Sequence, residues 1–176
     1  MSNDRLPPLA QEQWTADQRK AAEEVIAGPR GALISPFVPL LRSPELMGHA
    51  QRMGEYLRYR TSLGQRLSEL AILVIARHWS QPVEWAIHAP IAQREGVAAD
   101  VIQAIPEGRR PQAMNEDEAM VHDFCVELLN EQTVSDAKWA SVVQRFGERG
   151  VVDLIGLNGY YGFLGMVMDA ARPPAP

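Results

Sequence analysis

The segment Leu70-Ala-Ile-Leu-Val-Ile-Ala76 constrains this chain more than any other, because it is apolar on every side of the helix it predicts. A helix with no polar face must be surrounded by other elements, so this one belongs at the centre of the fold. Ser68 and Glu69 stand near its start, and Arg77, His78 and Trp79 close it. The break Ser80-Gln81-Pro82 starts a new helix that carries Glu84, Trp85, His88, Ile91 and Ala92 and ends near Glu95-Gly96. Two helices joined by so short a turn predict an antiparallel hairpin.

The flanking sequence reads as helix throughout. Thr15, with Asp17 in the first turn, caps a helix to about Ala27, which Gly28-Pro29-Arg30-Gly31 stops. Ser43-Pro44 opens a helix to about Arg60. A short helix spans about Asp100 to Ile105, and Asn115 with Glu118 forms a capping-box pattern ahead of another. Ser135-Asp136 begins a further helix through Phe146, and the last runs from about Val151 to Ala171. No strand pattern, fixed-period repeat or linker stands out. The expectation is one all-α domain over residues 1–176, a bundle of about seven helices, with 1–14 and 172–176 as extended arms. The apolar segment Ala32 to Leu41 is broken by Pro36 and Pro39, which argues against a regular helix. It is expected to pack under a site, into a subunit contact, or over its own core. Gly156, Gly159, Gly162 and Gly165 recur every three residues and suggest a seam of close helix approach, within or between subunits.

The chain has 176 residues, enough to bury a real core, and a formal net charge of -5. That balance argues against nucleic acid as the main partner, since phosphate binding needs a basic surface. No secretory signal is visible, and Asp153, Asn158 and Asp169 interrupt the most apolar C-terminal stretch. A soluble, cytoplasmic protein that does not engage a membrane is expected. Cys125 is alone, which excludes a disulfide framework and dithiol chemistry within one subunit.

The candidate site lies between Glu69 and His88. Glu84 and His88 are one turn apart on one helix face. A carboxylate beside an imidazole raises its pKa and orients it for acid–base work, although the same spacing also describes an ordinary surface pair. Glu69, near the start of the apolar helix, needs a partner if buried, and His88, Arg77 and Arg66 are the candidates. It also has the plain alternatives of capping a helix or pairing with an arginine. His78 is the second acid–base candidate, with the alternative of a favourable cation at a helix C-terminus. Tyr160 and Tyr161 either line a pocket or pack at a contact. The histidines His49, His78, His88 and His122 form no recognised metal-binding pattern, so neither a metal nor another cofactor is expected.

The run Ser68-Glu69 to Trp79, followed by Glu84-Trp85-Ala-Ile-His88-Ala-Pro-Ile-Ala, resembles the core of the carboxymuconolactone decarboxylase family, which includes the AhpD-like alkylhydroperoxidases. The stretch from Asp153 to Leu164 resembles the family's last helix. The resemblance implies an AhpD-like helical bundle and a homotrimer or homohexamer. The peroxidase members use a glutamate, a CxxC pair and a histidine; these positions fall here on Glu69, on Gln81 and Glu84, and on His88. Without the two thiols, peroxide reduction by that mechanism is not available. The implied chemistry is that of the cysteine-free branch: decarboxylation or isomerisation of a small carboxylated lactone or unsaturated acid. His88 is then the proton donor, Glu84 or Glu69 sets its charge, and Arg77 holds a substrate carboxylate. His78, Gln81, Trp85 and Tyr160 complete the expected substrate contacts. A binding protein without turnover is the alternative.

Overall fold

The computed structural model describes residues 4–174. A 3-10 turn, Gln11–Gln13, precedes eight helices: α1 (Ala16–Ala27), α2 (Phe37–Leu40), α3 (Pro44–Tyr59), α4 (Gln65–His78), α5 (Pro82–Arg94), α6 (Ala99–Ala104), α7 (Glu116–Glu131) and α8 (Asp136–Ala171). The described residues contain no strand, and the fold is all-α. Two details depart from the expected bundle of about seven. The Pro-rich segment does make one helical turn, α2, because proline is tolerated where the first-turn amides lack intrahelical partners. The two expected C-terminal helices run as one element broken at Gly147, whose φ of 72° only glycine adopts freely.

The capping chemistry explains where helices begin. Thr15 and Gln18 form a reciprocal capping box on α1, and Asn115 and Glu118 do the same on α7. Ser135 does not cap α8; its hydroxyl and amide turn instead to Glu127. Gly64 (φ 79°) releases the chain into α4, four residues ahead of Ser68.

The central helix is α4. It buries every residue from Leu67 to Ala76, including Ser68 and Glu69, and packs against α3, α5, α7 and α8. Each fully buried Leu or Ile there contributes roughly 1.5–3 kcal/mol of apolar burial. α5 folds back along α4 as the expected hairpin. Among the described residues, α8 alone is long and apolar enough to cross a membrane by length and composition. In this bundle 61% of its apolar window is buried, as in a core helix.

The glycine seam is largely intramolecular. A Cβ on Gly162 or Gly165 would come within 3.2 Å of Trp79, and one on Gly156 within 3.2 Å of Leu57, whereas Gly159 faces open space. The expected N-terminal arm is extended only as far as Ala10 and is tied down. The Arg5 amide donates to the Ala171 carbonyl (2.8 Å), and Arg42 donates to the carbonyls of Leu6 (3.3 Å) and Pro7 (2.7 Å). Residues 1–3 and 175–176 of the expected arms lie outside the described residues.

Gly54 shows how tightly α3 and α8 approach. A Cβ there would overlap the Tyr160 hydroxyl and lie 2.6 Å from Arg30 Nη2. Gly54→Ala is expected to cost about 1–3 kcal/mol through overpacking, lowering the melting temperature by roughly 2–10 °C. An unchanged melting temperature in a thermal scan would contradict this packing.

Candidate active site

Three ionisable side chains that an apolar interior should exclude meet between α4 and α5. Glu69 is 1% exposed, Glu84 3% and His88 3%. Their positions follow from local structure. Gln81 caps α5 by accepting the Val83 amide (3.0 Å), and Pro82 occupies the first helical position. Glu84 therefore falls in the first turn, where the helix dipole favours a carboxylate. One turn later His88 points the same way, and the hairpin sets both against Glu69 on α4.

The imidazole is held from both sides. His88 Nδ1 lies 2.6 Å from Glu69 Oε2, and His88 Nε2 lies 3.2 Å from Glu84 Oε2. Burial alone would depress the His88 pKa. The hydrogen bonds and charges of Glu69 and Glu84 outweigh it and raise the pKa above the ordinary 6.5. Tyr161 meets the ring edge-on, centroids 5.3 Å apart. Its phenol is held well above pKa 10, first by burial and then by the charge of Glu84, so it stays neutral.

Two arginines absent from the sequence-based expectation complete the cluster. Arg58, from α3, is 11% exposed and brings Nε to 3.8 Å from Glu69 Oε1. Neither of those two atoms has a hydrogen-bond partner among the described residues. Buried polar atoms are nearly always satisfied, so this gap is a place for one more polar group. Arg30 arrives from the turn after α1. Its Nε donates to Gln51 Oε1 (2.7 Å), its Nη2 donates to the Tyr160 hydroxyl (3.3 Å), and it stacks 4.5 Å over Phe37. Arg30, Arg58, Glu84, His88 and Tyr161 line one cavity of about 180 Å³, closed by Pro29, Ile34 and Pro36. The Pro-rich segment thus covers the cluster while Phe37, Leu40 and Leu41 enter the core. Arg30 and Arg58 stand opposite the two carboxylates, and His88, whose pKa is raised, adds positive charge whenever it is protonated, so the cavity suits a small anion.

The structure therefore brings Glu69, Glu84 and His88 together but separates them from several expected substrate contacts. Arg77 does not approach His88: its Nε donates to the Pro106 carbonyl (2.9 Å), and it lines another recess together with His78. Arg66 is engaged with Glu118 (2.6 Å) rather than Glu69. Gln81 is a structural tie, capping α5 and donating from Nε2 to Asp169 Oδ1 (2.8 Å). Trp85 packs against the core and does not line the cavity. Tyr160 stands behind the cavity as the partner of Arg30, its pKa pushed up to about 12 by burial. Cys125 is fully buried, accepts from Asn158 Nδ2 (3.3 Å), and has its thiol pKa raised to about 12 by burial. It is a poor nucleophile. Among the described residues no group of three His, Cys, Asp or Glu side chains is arranged to hold a metal ion. No family model matches this chain, and no curated protein matches it either.

The His88 arrangement has a pH signature. A folded-state pKa above the unfolded 6.5 means that His88 protonation stabilises the fold fully below about pH 6.5. That contribution is lost as pH rises through the folded value. The expected observation is an imidazole NMR titration with its midpoint above 6.5, together with stability that declines across the same interval. A midpoint below 6.5 would show that desolvation wins.

Proposed function

We propose that this chain is a cytoplasmic, cofactor-independent enzyme of the carboxymuconolactone decarboxylase-like kind. It performs decarboxylation or isomerisation on a small carboxylated lactone or unsaturated acid, and it is not a CxxC peroxidase. The observation that carries this reading is the buried Glu69–His88–Glu84 relay facing a cavity with Arg30 and Arg58. A finished structural tie would leave no polar atom over, whereas this cluster borders a cavity and leaves Arg58 Nε and Glu69 Oε1 unbonded.

The chemistry follows from the geometry. In isomerisation Arg58 and Arg30 hold the substrate's single carboxylate; in decarboxylation they stabilise the developing enolate oxygen. As carbon dioxide leaves, the electron pair of the broken carbon–carbon bond passes into the conjugated carbonyl. The resulting dienolate takes a proton at carbon. Both ring nitrogens of His88 are engaged, so the proton on Nε2 reaches the substrate through Glu84, and Glu69 holds the remaining charge through Nδ1. Arg58 thereby takes the part that the sequence suggested for Arg77. The same engagement of both nitrogens favours the second reading, a binding protein without turnover, because no ring nitrogen is left to touch a ligand directly.

Assembly as a homotrimer or homohexamer belongs to the same reading. Val152, Ile155 and Met166 stand exposed along one side of α8, and Met53 on α3 is exposed as well. Burying such residues between copies would explain them. Light scattering at micromolar concentration is expected to give a mass above the 19.6 kDa monomer; a monomer would remove this part.

The catalytic reading predicts a division of labour. Against a panel of carboxylated lactones and unsaturated acids, Glu84→Gln and His88→Gln are expected to lower turnover by about 10²–10⁴ while leaving binding nearly unchanged. Arg58→Met is expected to weaken binding by about 10- to 100-fold. Substitution of Arg77 should leave turnover intact. Binding of an acid without turnover, at equal strength in Glu84→Gln, would favour the non-catalytic alternative. No acid stabilising the protein would sink both readings.

A further inference from the structure

A second recess, independent of the His88 cluster, lies between the C-terminal half of α4, the segment after α6 and one side of α7. Its volume is about 360 Å³, within the range of small-molecule sites. Val74, Ile105, Val126 and Leu129 provide apolar lining, and Arg77, His122 and Asp123 provide polar groups. Sequence reasoning singled out Arg77 for a carboxylate, and the first cavity did not use it.

The polar groups are organised. His122 is only 7% exposed, and its Nδ1 lies 2.8 Å from Asp123 Oδ1. Arg110 grips the same carboxylate through Nε and Nη2, both at 2.9 Å. The pKa of Asp123 is lowered: burial opposes this, but hydrogen bonds from Arg110 and His122 outweigh it. Asp123 is therefore already neutralised. With Nδ1 engaged by Asp123, Nε2 is the ring nitrogen of His122 left for a ligand in the recess that His122 lines. Arg77 spends one N–H on the Pro106 carbonyl and has no carboxylate partner among the described residues. Arg109, at the outer edge, is paired with Glu107. One uncompensated guanidinium, one oriented imidazole nitrogen and an apolar wall define the ligand.

We infer that this recess binds a small monocarboxylate with a compact apolar body, its carboxylate on Arg77, its body against Val74, Ile105, Val126 and Leu129, and a polar substituent within reach of His122. A dianion suits it less well, because among the described residues Arg77 is the one lining arginine without a carboxylate partner.

The test is a methyl-labelled NMR titration of the full chain with phenylacetate, using phenylacetamide as the neutral twin. Phenylacetate is expected to move the methyl signals of Val74, Ile105, Val126 and Leu129. The amide and the Arg77→Met variant should each bind about ten-fold more weakly or worse at this site. Arg58→Met should leave the site's affinity within about two-fold, since the two sites share no residue. Arg77 is exposed, so its substitution should leave the fold and spectrum intact. Three results would overturn the inference: no movement of those signals with phenylacetate, benzoate or hexanoate at roughly 10 mM, equal binding of the amide, or equal binding by Arg77→Met. Movement confined to Ile34, Ile87 and Leu164 methyls would assign the acid to the His88 cavity alone, rejecting this site while leaving the proposed function standing.

Discussion

Two carboxylates placed inside an apolar helix pair cannot be left to themselves, and much of this architecture can be read as the means of neutralising them. An isolated buried carboxylate costs several kcal/mol even after relaxation. Glu69 and Glu84 meet that cost by sharing His88 and by drawing cations from elsewhere in the chain. The hairpin of α4 and α5 sets the three side chains in line. α3 delivers Arg58, and the turn after α1 delivers Arg30, which Gln51, Tyr160 and Phe37 hold in place. α8 closes the back with Tyr161. Almost every helix boundary near the cluster serves its charge balance.

Another buried carboxylate in the same molecule, Asp153, shows what a purely structural solution looks like. Asp153 accepts from the Tyr56 hydroxyl at 2.7 Å and from the Ser62 amide and hydroxyl at 2.9 and 3.0 Å. Both its oxygens are used, and it ties α8 to the end of α3. Glu69 differs: one oxygen is bonded to His88, and the other faces Arg58 across 3.8 Å without a hydrogen bond. The contrast separates a finished internal tie from a group with binding capacity in hand.

Much of this was legible in residue order, for identifiable reasons. The all-round apolar run of α4, the short Pro-started turn before α5, and the Thr15 and Asn115 caps are local signals, and local signals survive folding. Glu69, Glu84 and His88 could be named because two sit at helical spacing and the third stands in an apolar run. Arg30 and Arg58 could not be placed by spacing, since they reach the cluster from distant parts of the chain. A charge argument could have prompted the search: two interior carboxylates require more than one histidine, and Arg30 stands at the entry to an apolar loop. Arg77 misled because proximity along α4 is not proximity in space; it sits eight residues beyond Glu69, roughly 12 Å along the axis. The glycine seam was recognisable, but not that Trp79 would fill much of it from within.

Arg5 is hydrogen-bonded to Ala171 in the last turn of α8, and Arg42 clasps the neighbouring strap at Leu6 and Pro7. In mechanical terms, these two segments form a clasp. A force drawing Arg5 and Ala171 apart loads this junction before it reaches the buried helices, so the clasp acts as a fuse ahead of the core.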